Sequence, residues 1–130
     1  MQSLNAPEHT PESVANLYIE ALDSHQRQKW TSAAAMFRAT LEAALKTSAP
    51  QIDRWKLEKR IDDMASEGLI TPALKDWAHA LRLDGNDALH GSAPADESTS
   101  SQMQAFLENL LTYLFTMPER VRLSRGSEEE

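Results

Sequence analysis

Apolar residues recur at intervals of three and four along five separate segments, and this spacing restricts the fold more than any other feature of the chain. It predicts amphipathic helices at about residues 10–22, 30–46, 52–67, 72–90 and 103–117. No segment shows the strict alternation of apolar and polar residues that marks a half-buried strand. Amphipathic helices bury their apolar faces against one another. The sequence therefore predicts an all-α fold, a compact five-helix bundle with antiparallel neighbours.

Capping residues mark three of the helix ends. Thr10-Pro11-Glu12 and Thr71-Pro72 each combine a hydroxyl cap with a proline whose φ already suits the first helical turn. Gly68, followed by Leu69 and Ile70, is typical of a glycine that ends a helix with an accompanying apolar contact. From these limits we interpret residues 1–9 as a flexible lead, 10–117 as a single helical domain and 118–130 as a flexible charged tail.

Composition excludes several functional classes. The 130 residues include no cysteine, which removes disulfides, thiolate metal sites and cysteine nucleophiles. A net charge of −7 argues against a protein that binds duplex DNA by bulk charge. No apolar run approaches the ~20 residues of a membrane span, and no secretory signal pattern opens the chain. We therefore expect a cytoplasmic protein without membrane association, and we predict no cofactor and no metal site.

The fourth helix carries the segment with the most chemistry. Asp84-Gly85-Asn86 has the composition of a turn that would end this helix at Leu83. Because Ala88 and Leu89 return to the apolar face, we favour a helix that continues through Gly85. At about 100° per residue, one flank of that helix would then present five polar side chains: Lys75, His79, Arg82, Asn86 and His90.

Such a flank suits phosphate chemistry. An arginine holds a phosphate or a developing negative charge, and a histidine moves protons near neutral pH. Arg82, Asn86 and His90 would together suit cleavage of an RNA phosphodiester, and equally the binding of a phosphate or nucleotide. The structural alternative is that Arg82 and Asn86 are solvated or pair with acids, and that His90 caps the helix C-terminus.

A second basic cluster lies early in the third predicted helix, at Arg54, Lys56, Lys59 and Arg60. It fits a solvated helix face, and it also fits a ligand-binding patch to which Arg54, Lys56 and Arg60 contribute. Of the three tryptophans, Trp30 and Trp77 are expected to anchor the core or an interface. Trp55 lies among the basic residues, where stacking on a nucleic-acid base is plausible.

The remaining polar residues receive plainer interpretations. His9 and His25 fall in predicted connections and are expected to be solvated. The carboxylate pairs Asp62-Asp63 and Asp84/Asp87 lack the spacing of metal ligands, so we interpret them as surface residues. No zinc-protease, phosphate-loop or nucleophile-elbow motif occurs.

Two strings resemble a known bacterial family. Residues 81–90, Leu-Arg-Leu-Asp-Gly-Asn-Asp-Ala-Leu-His, follow residues 68–72, Gly-Leu-Ile-Thr-Pro, and Trp77-Ala78 at the spacing of domain of unknown function 4145. Arg38-Ala39-Thr40-Leu41-Glu42 resembles the Arg-x-x-Leu-Glu helix of that family. The resemblance covers roughly residues 12–116.

That family is similar to the HEPN superfamily (higher eukaryotes and prokaryotes nucleotide-binding), whose helical domains often dimerise and include metal-independent RNases. The superfamily motif is an arginine, commonly followed by a polar residue, with a histidine four to six positions later. Asn86 and His90 match it, whereas Gly85 occupies the arginine position and Arg82 lies outside the usual window. The resemblance therefore implies a HEPN-like domain without the complete catalytic motif.

Three functional hypotheses follow. The leading one is a non-catalytic HEPN-like module that binds RNA, a nucleotide or a protein partner, in a bacterial or phage defence setting that the resemblance implies. The second is a metal-independent endoribonuclease that uses Arg82, Asn86 and His90. The third is an acidic structural or inhibitory protein. We also expect a homodimer, with the second and last helices as candidate interfaces.

Overall fold

The computed structural model describes residues 4–83 and 94–129, with side chains to Gly126. Its helices are α1 (Glu12–Gln26), α2 (Trp30–Ser48), α3 (Leu57–Ser66), α4 (Pro72–Ala80), α5 (Glu97–Leu111) and α6 (Met117–Glu129). A π-helical turn, Thr112–Thr116, joins α5 to α6 without a break. The described chain is thus five helical rods with no strand, and the predicted all-α five-helix fold is confirmed.

The core lies where α1, α2 and α5 meet. Helices α1 and α2 form an antiparallel hairpin, and α5 packs across α2. Phe37, Leu41, Phe106 and Leu107 are almost completely buried between them. The shorter α3–α4 hairpin closes the bundle, and the Trp77 ring meets Phe106 edge-on at 5.3 Å between centroids. The buried residues of α1, α2 and α5 are thus mostly apolar residues at helical spacing, as predicted.

Local capping explains where α3 ends and α4 begins. Gly68 has φ +75°, and the amide of Leu69 reaches back to the Met64 carbonyl at 2.8 Å, which closes the end of α3 as predicted. The Thr71 hydroxyl accepts the Leu74 amide at 3.0 Å. This turn is tight enough to set α3 and α4 side by side.

Asp96 starts α5 in the same way. Its carboxylate accepts the Thr99 amide at 2.8 Å, and this backbone hydrogen bond lowers the pKa of the Asp96 carboxyl. The start of α1 differs from our prediction, because Thr10 does not cap the helix. Its hydroxyl donates to the Pro7 carbonyl at 2.7 Å, and α1 begins at Glu12 behind Pro11.

The start of the third predicted helix and the end of the first are wrong. The third helix begins at Leu57 rather than near residue 52, because residues 52–56 form a loop held by Arg60. The first helix continues to Gln26, so the polar run after Leu22 is helical and not a connection. At the first helix His25 is held by Ser100 on α5, and at the third Arg60 holds the loop from eight residues away, so these contacts outweigh the local pattern.

The last helix does not end at Pro118. A proline inside a helix cannot donate to the carbonyl four residues earlier and crowds it. Here the π-helical turn precedes it, with the Met117 amide bonded to the Thr112 carbonyl five residues back. Such a bulge gives the proline room. The predicted helix end near Met117-Pro118 is therefore wrong, and α6 continues to Glu129.

The lead before α1 is partly held against the bundle. Leu4 and Ala6 pack on the core, and the Thr116 hydroxyl donates to the Glu8 carbonyl at 2.5 Å. The Arg120 guanidinium also contacts the Glu8 carboxylate at 3.1 Å. Residues 4–8 thus form a wall beside α1 and α5. Within the described residues, none of these helices has both the length and the apolar character that crossing a bilayer demands.

Candidate functional site

Helix α4 ends at Ala80, so the predicted continuous helix through Gly85 is wrong. Beyond Leu81 the chain turns through Arg82, whose φ is +58°. The Arg82 amide bonds to the His79 carbonyl at 3.0 Å and the Leu83 amide to the Ala78 carbonyl at 3.1 Å. These two bonds are the Schellman motif, which satisfies carbonyls that a helix end leaves open. Residues 84–93, which include Asn86 and His90, lie outside the described residues.

The left-handed backbone at Arg82 allows a test of this helix end, because it predicts the sign of a change in the free energy of unfolding. Such a conformation costs an L-residue roughly 1–2 kcal/mol, and glycine adopts it freely. Because the Arg82 side chain is exposed, Arg82→Gly is expected to raise the free energy of unfolding by about 1 kcal/mol. Urea unfolding followed by circular dichroism measures this. A loss of similar size is what a glycine inside a continuous helix would give, and it would contradict the Schellman end.

Three members of the predicted flank lie within the described residues, and two of them share one side of α4. Lys75 and His79 lie one turn apart on the same side of α4, half-buried. His79 Nε2 lies 2.8 Å from Asp62 Oδ1 on α3. Arg82 is exposed at the end of the helix and leaves the helical frame that the prediction assumed. The described part of the chain thus aligns Lys75 and His79 only.

The basic cluster separates into inner and outer members. Arg60 is buried, with Nη1 donating to the Ile52 carbonyl at 2.6 Å and Nη2 to the Arg54 carbonyl at 3.0 Å. Its guanidinium is therefore committed to the main chain of the loop and faces no ligand. Arg54 pairs with Asp63, and Lys56 is exposed directly before α3.

The structure brings the two predicted clusters together on one surface. Asp63 holds Arg54 from the loop, and its neighbour Asp62 holds His79 from α4. We call this the α3–α4 surface; it comprises Arg54, Lys56, Lys59, Asp62, Asp63, Lys75 and His79. Sequence reasoning treated the two aspartates as unconnected surface residues. The available signal was the tight turn at Ile70-Thr71, because Asp62 and His79 are equally distant from it along an antiparallel pair.

Trp55 stands at the edge of this surface, fully in solvent. Its relative exposure is 98%, whereas the other large apolar side chains with notable exposure, on α6, reach about half that value. Trp30 and Trp77 behave as predicted: Trp30 packs on His25 and Trp77 on Phe106. Burial of a tryptophan is strongly favourable. A tryptophan that stays outside the core therefore contributes no such energy to folding.

His25 is the polar residue that sequence reasoning missed. It lies in the last turn of α1, half-buried, with Nδ1 2.7 Å from the hydroxyl of the buried Ser100 on α5. Its ring also meets Trp30 edge-on at 5.1 Å. The prediction of a solvated connection is wrong because α1 extends past it. His9, by contrast, is exposed.

The Arg-x-x-Leu-Glu string lies on α2. Leu41 is in the core and Glu42 pairs with Lys46 at 3.0 Å on the outer face. Arg38 Nε is buried and has no hydrogen-bond partner among the described residues. Within residues 4–83 and 94–129, no group of three or more His, Asp and Glu side chains is arranged to hold a metal ion.

Comparison with known proteins identifies a family and nothing closer. The model of the family described as domain of unknown function (DUF4145) matches residues 19–128. The match includes most of α6, which the sequence pattern had left outside the domain. No curated protein and no solved structure matches the chain. On the extent of the family match, from α1 to the end of α6, the chain belongs to the DUF4145 family.

Proposed function

We propose that the chain is a non-catalytic binding module that holds single-stranded RNA on the α3–α4 surface. The observation that carries the proposal is Trp55, a fully exposed tryptophan between two cationic residues, Arg54 and Lys56. Proteins that bind single strands combine aromatic side chains, on which bases stack, with cations along the backbone path. Trp55 supplies the aromatic plane, and Lys56 beside it supplies positive charge, since Arg54 is paired with Asp63.

The loop that presents Trp55 is held in place. Arg60 fixes the carbonyls of Ile52 and Arg54, and Arg54 is fixed in turn by Asp63. The backbone immediately before the tryptophan is therefore ordered before any ligand arrives. A rigid aromatic side chain loses little conformational freedom on binding, which favours affinity.

The charges of the surface leave its lysines available. Asp62 and Asp63 are engaged by His79 and Arg54. Lys56, Lys59 and Lys75 form no ion pair with any described residue. This local arrangement supports phosphate contacts even though the whole chain is acidic, because screening confines electrostatic attraction to about 8–10 Å at ordinary salt.

The end of α4 bears on the endoribonuclease alternative. That hypothesis needs Arg82, Asn86 and His90 along one edge of a continuous helix, and α4 ends before all three. Helix α4 therefore does not supply the frame that this hypothesis assumed, and the placement of Asn86 and His90 lies outside the described residues. The HEPN-like relationship and the defence setting rest on the resemblance alone and stay predictions.

The homodimer also stays a prediction, with α2 still a candidate interface and α6 added to it. The apolar face of α5 is used within its own bundle, whereas α6 carries the exposed Met117, Val121 and Leu123. An RNA-binding experiment also distinguishes the proposed function from two alternatives, an acidic inhibitory protein and a protein-binding module.

Binding of a fluorescein-labelled oligouridylate, followed by anisotropy, tests the proposal. Trp55→Ala is expected to weaken the affinity about tenfold, because one base–aromatic stack contributes about 1–3 kcal/mol. Trp55→Phe should retain part of it. Leu123→Ala, which removes an exposed apolar side chain from α6, is the matched control and should bind as the unaltered chain does. Affinity should fall steeply with salt.

Equal affinities of Trp55→Ala and the unaltered chain would contradict the proposed surface. Cleavage of the RNA in EDTA that is lost in His90→Ala would instead support the endoribonuclease. No RNA binding at low salt, with a protein that copurifies only with an intact Trp55, would assign the tryptophan to a protein interface.

A further inference from the structure

A cleft lies away from the α3–α4 surface, between α1, α5 and the N-terminal wall. Its volume is about 610 Å³, within the usual range for small-molecule sites. One side follows a ridge from Gln104 on α5 to Thr116 in the π-helical turn, and residues 4–8 form the second side. The cleft depends on the N-terminal segment, which Thr116 and Arg120 hold against the bundle.

One end of the cleft has a positioned imidazole. His25 lines the cleft, and its Nδ1 is engaged by the hydroxyl of Ser100, which is completely buried. A hydrogen bond to one ring nitrogen fixes the ring orientation and leaves the other nitrogen for a ligand. Nε2 of His25 forms no hydrogen bond with any described residue. Edge-on packing against Trp30 holds the ring further.

The middle of the cleft is acidic. Tyr18 and Glu108 both line it, and burial together with the nearby Glu108 carboxylate raises the pKa of the Tyr18 hydroxyl to about 12. The phenol is thus neutral and able to donate at physiological pH. Glu8, at the far end, is neutralised by Arg120. Glu108 forms no ion pair with any described residue, so the cleft carries one uncompensated negative charge.

Apolar surface adjoins that charge. Leu22 from α1, and Leu4 and Pro7 from the N-terminal wall, line the same cleft. Pockets that combine apolar walls with a few converging polar groups are typical binding sites. From this arrangement we propose that the cleft binds a small organic cation, a primary amine on an aromatic or aliphatic body. Its ammonium lies at Glu108 and its body against Leu22 and Pro7.

An NMR titration of the ¹⁵N-labelled full chain with 2-phenylethylamine tests this site. The amine is expected to shift the signals of Glu108 and His25 saturably. Glu108→Gln should weaken binding about tenfold, which corresponds to about 1.4 kcal/mol. Glu20→Gln removes the same charge from an exposed position of α1 outside the cleft and should leave the affinity unchanged.

Two further ligands separate charge from shape. 2-Phenylethanol, which is neutral, should bind about tenfold more weakly than the amine, and 3-phenylpropionate should not bind. Equal affinities of the amine and the alcohol, an unchanged affinity in Glu108→Gln, or shifts confined to residues outside the cleft would overturn the proposal. Because Glu108 is exposed and forms no ion pair within the described chain, its replacement should not disturb folding.

Discussion

Replacing Arg60 by methionine is expected to lower the free energy of unfolding by about 3 kcal/mol. The arginine is only 6% exposed, and its two terminal nitrogens bond to the Ile52 and Arg54 carbonyls. A hydrogen bond from a charged donor contributes roughly 1.5–3 kcal/mol, and a buried acceptor left without a partner adds its desolvation cost. Methionine keeps the apolar stem and fills similar space, so the loss reports the hydrogen bonds and not a cavity.

The matched control is Lys59→Met, which removes the same charge from the adjacent, exposed position of α3. Its effect should stay within about 0.5 kcal/mol. Urea unfolding followed by circular dichroism measures both variants. A stability equal to that of Lys59→Met would mean that Arg60 is a solvated residue of the basic cluster.

Arg60 also illustrates why the site was harder to predict than the fold. Its role depends on Ile52, eight residues away across a loop, and no helical period encodes that contact. A cluster of Arg54, Lys56 and Arg60 in the sequence looks like one patch. In space the buried member turns inward and leaves the other two on the surface.

The helix starts and ends that the sequence predicted correctly depend on neighbouring residues. Gly68 reaches a left-handed φ without strain, and the Thr71 hydroxyl meets an amide three residues on. Such signals are complete within one turn of chain. The apolar spacing was equally reliable for the core, because each helix has to bury the stripe that the period of 3.6 residues defines.

The end of α4 and the continuation of α6 depend on the rest of the fold. Arg82 has no preference for the left-handed conformation that it adopts, and Pro118 ordinarily ends a helix. Burial of Leu83 favours the left-handed conformation at Arg82. The π-helical turn accommodates Pro118 within the helix. Local propensity opposes both outcomes, so tertiary contacts decided them.

The link between the two basic clusters also needed a tertiary frame. Asp62 and Asp63 point to different partners, His79 on α4 and Arg54 on the loop, because neighbouring helical residues diverge by about 100°. Once the α3–α4 hairpin is recognised, the pairing of Asp62 with His79 follows. Without it, the aspartates are only an acidic dipeptide.

Replacing Leu83 by alanine is expected to lower the free energy of unfolding by about 3 kcal/mol. Leu83 is completely buried, and truncation of a core leucine typically costs about 2.7–5 kcal/mol. The expected value lies near the lower end because the site is close to the surface turn at Arg82, where the chain can partly collapse onto a cavity. The Schellman bonds of the α4 end position this side chain for burial.

Leu83→Ala also distinguishes a helix α4 that ends at Ala80 from one that continues through Gly85. On a continuous helix, position 83 would lie about 180° from Leu74, on the side that faces solvent. Leu83→Ala would then be nearly neutral, since alanine has the higher helix propensity. Leu81→Ala, at the half-buried cap residue of the same turn, is the control and should cost about 1 kcal/mol. Urea unfolding measures the free energy of unfolding of both variants. A loss for Leu83→Ala no larger than the loss for Leu81→Ala would favour a helix α4 that continues towards Asn86 and His90.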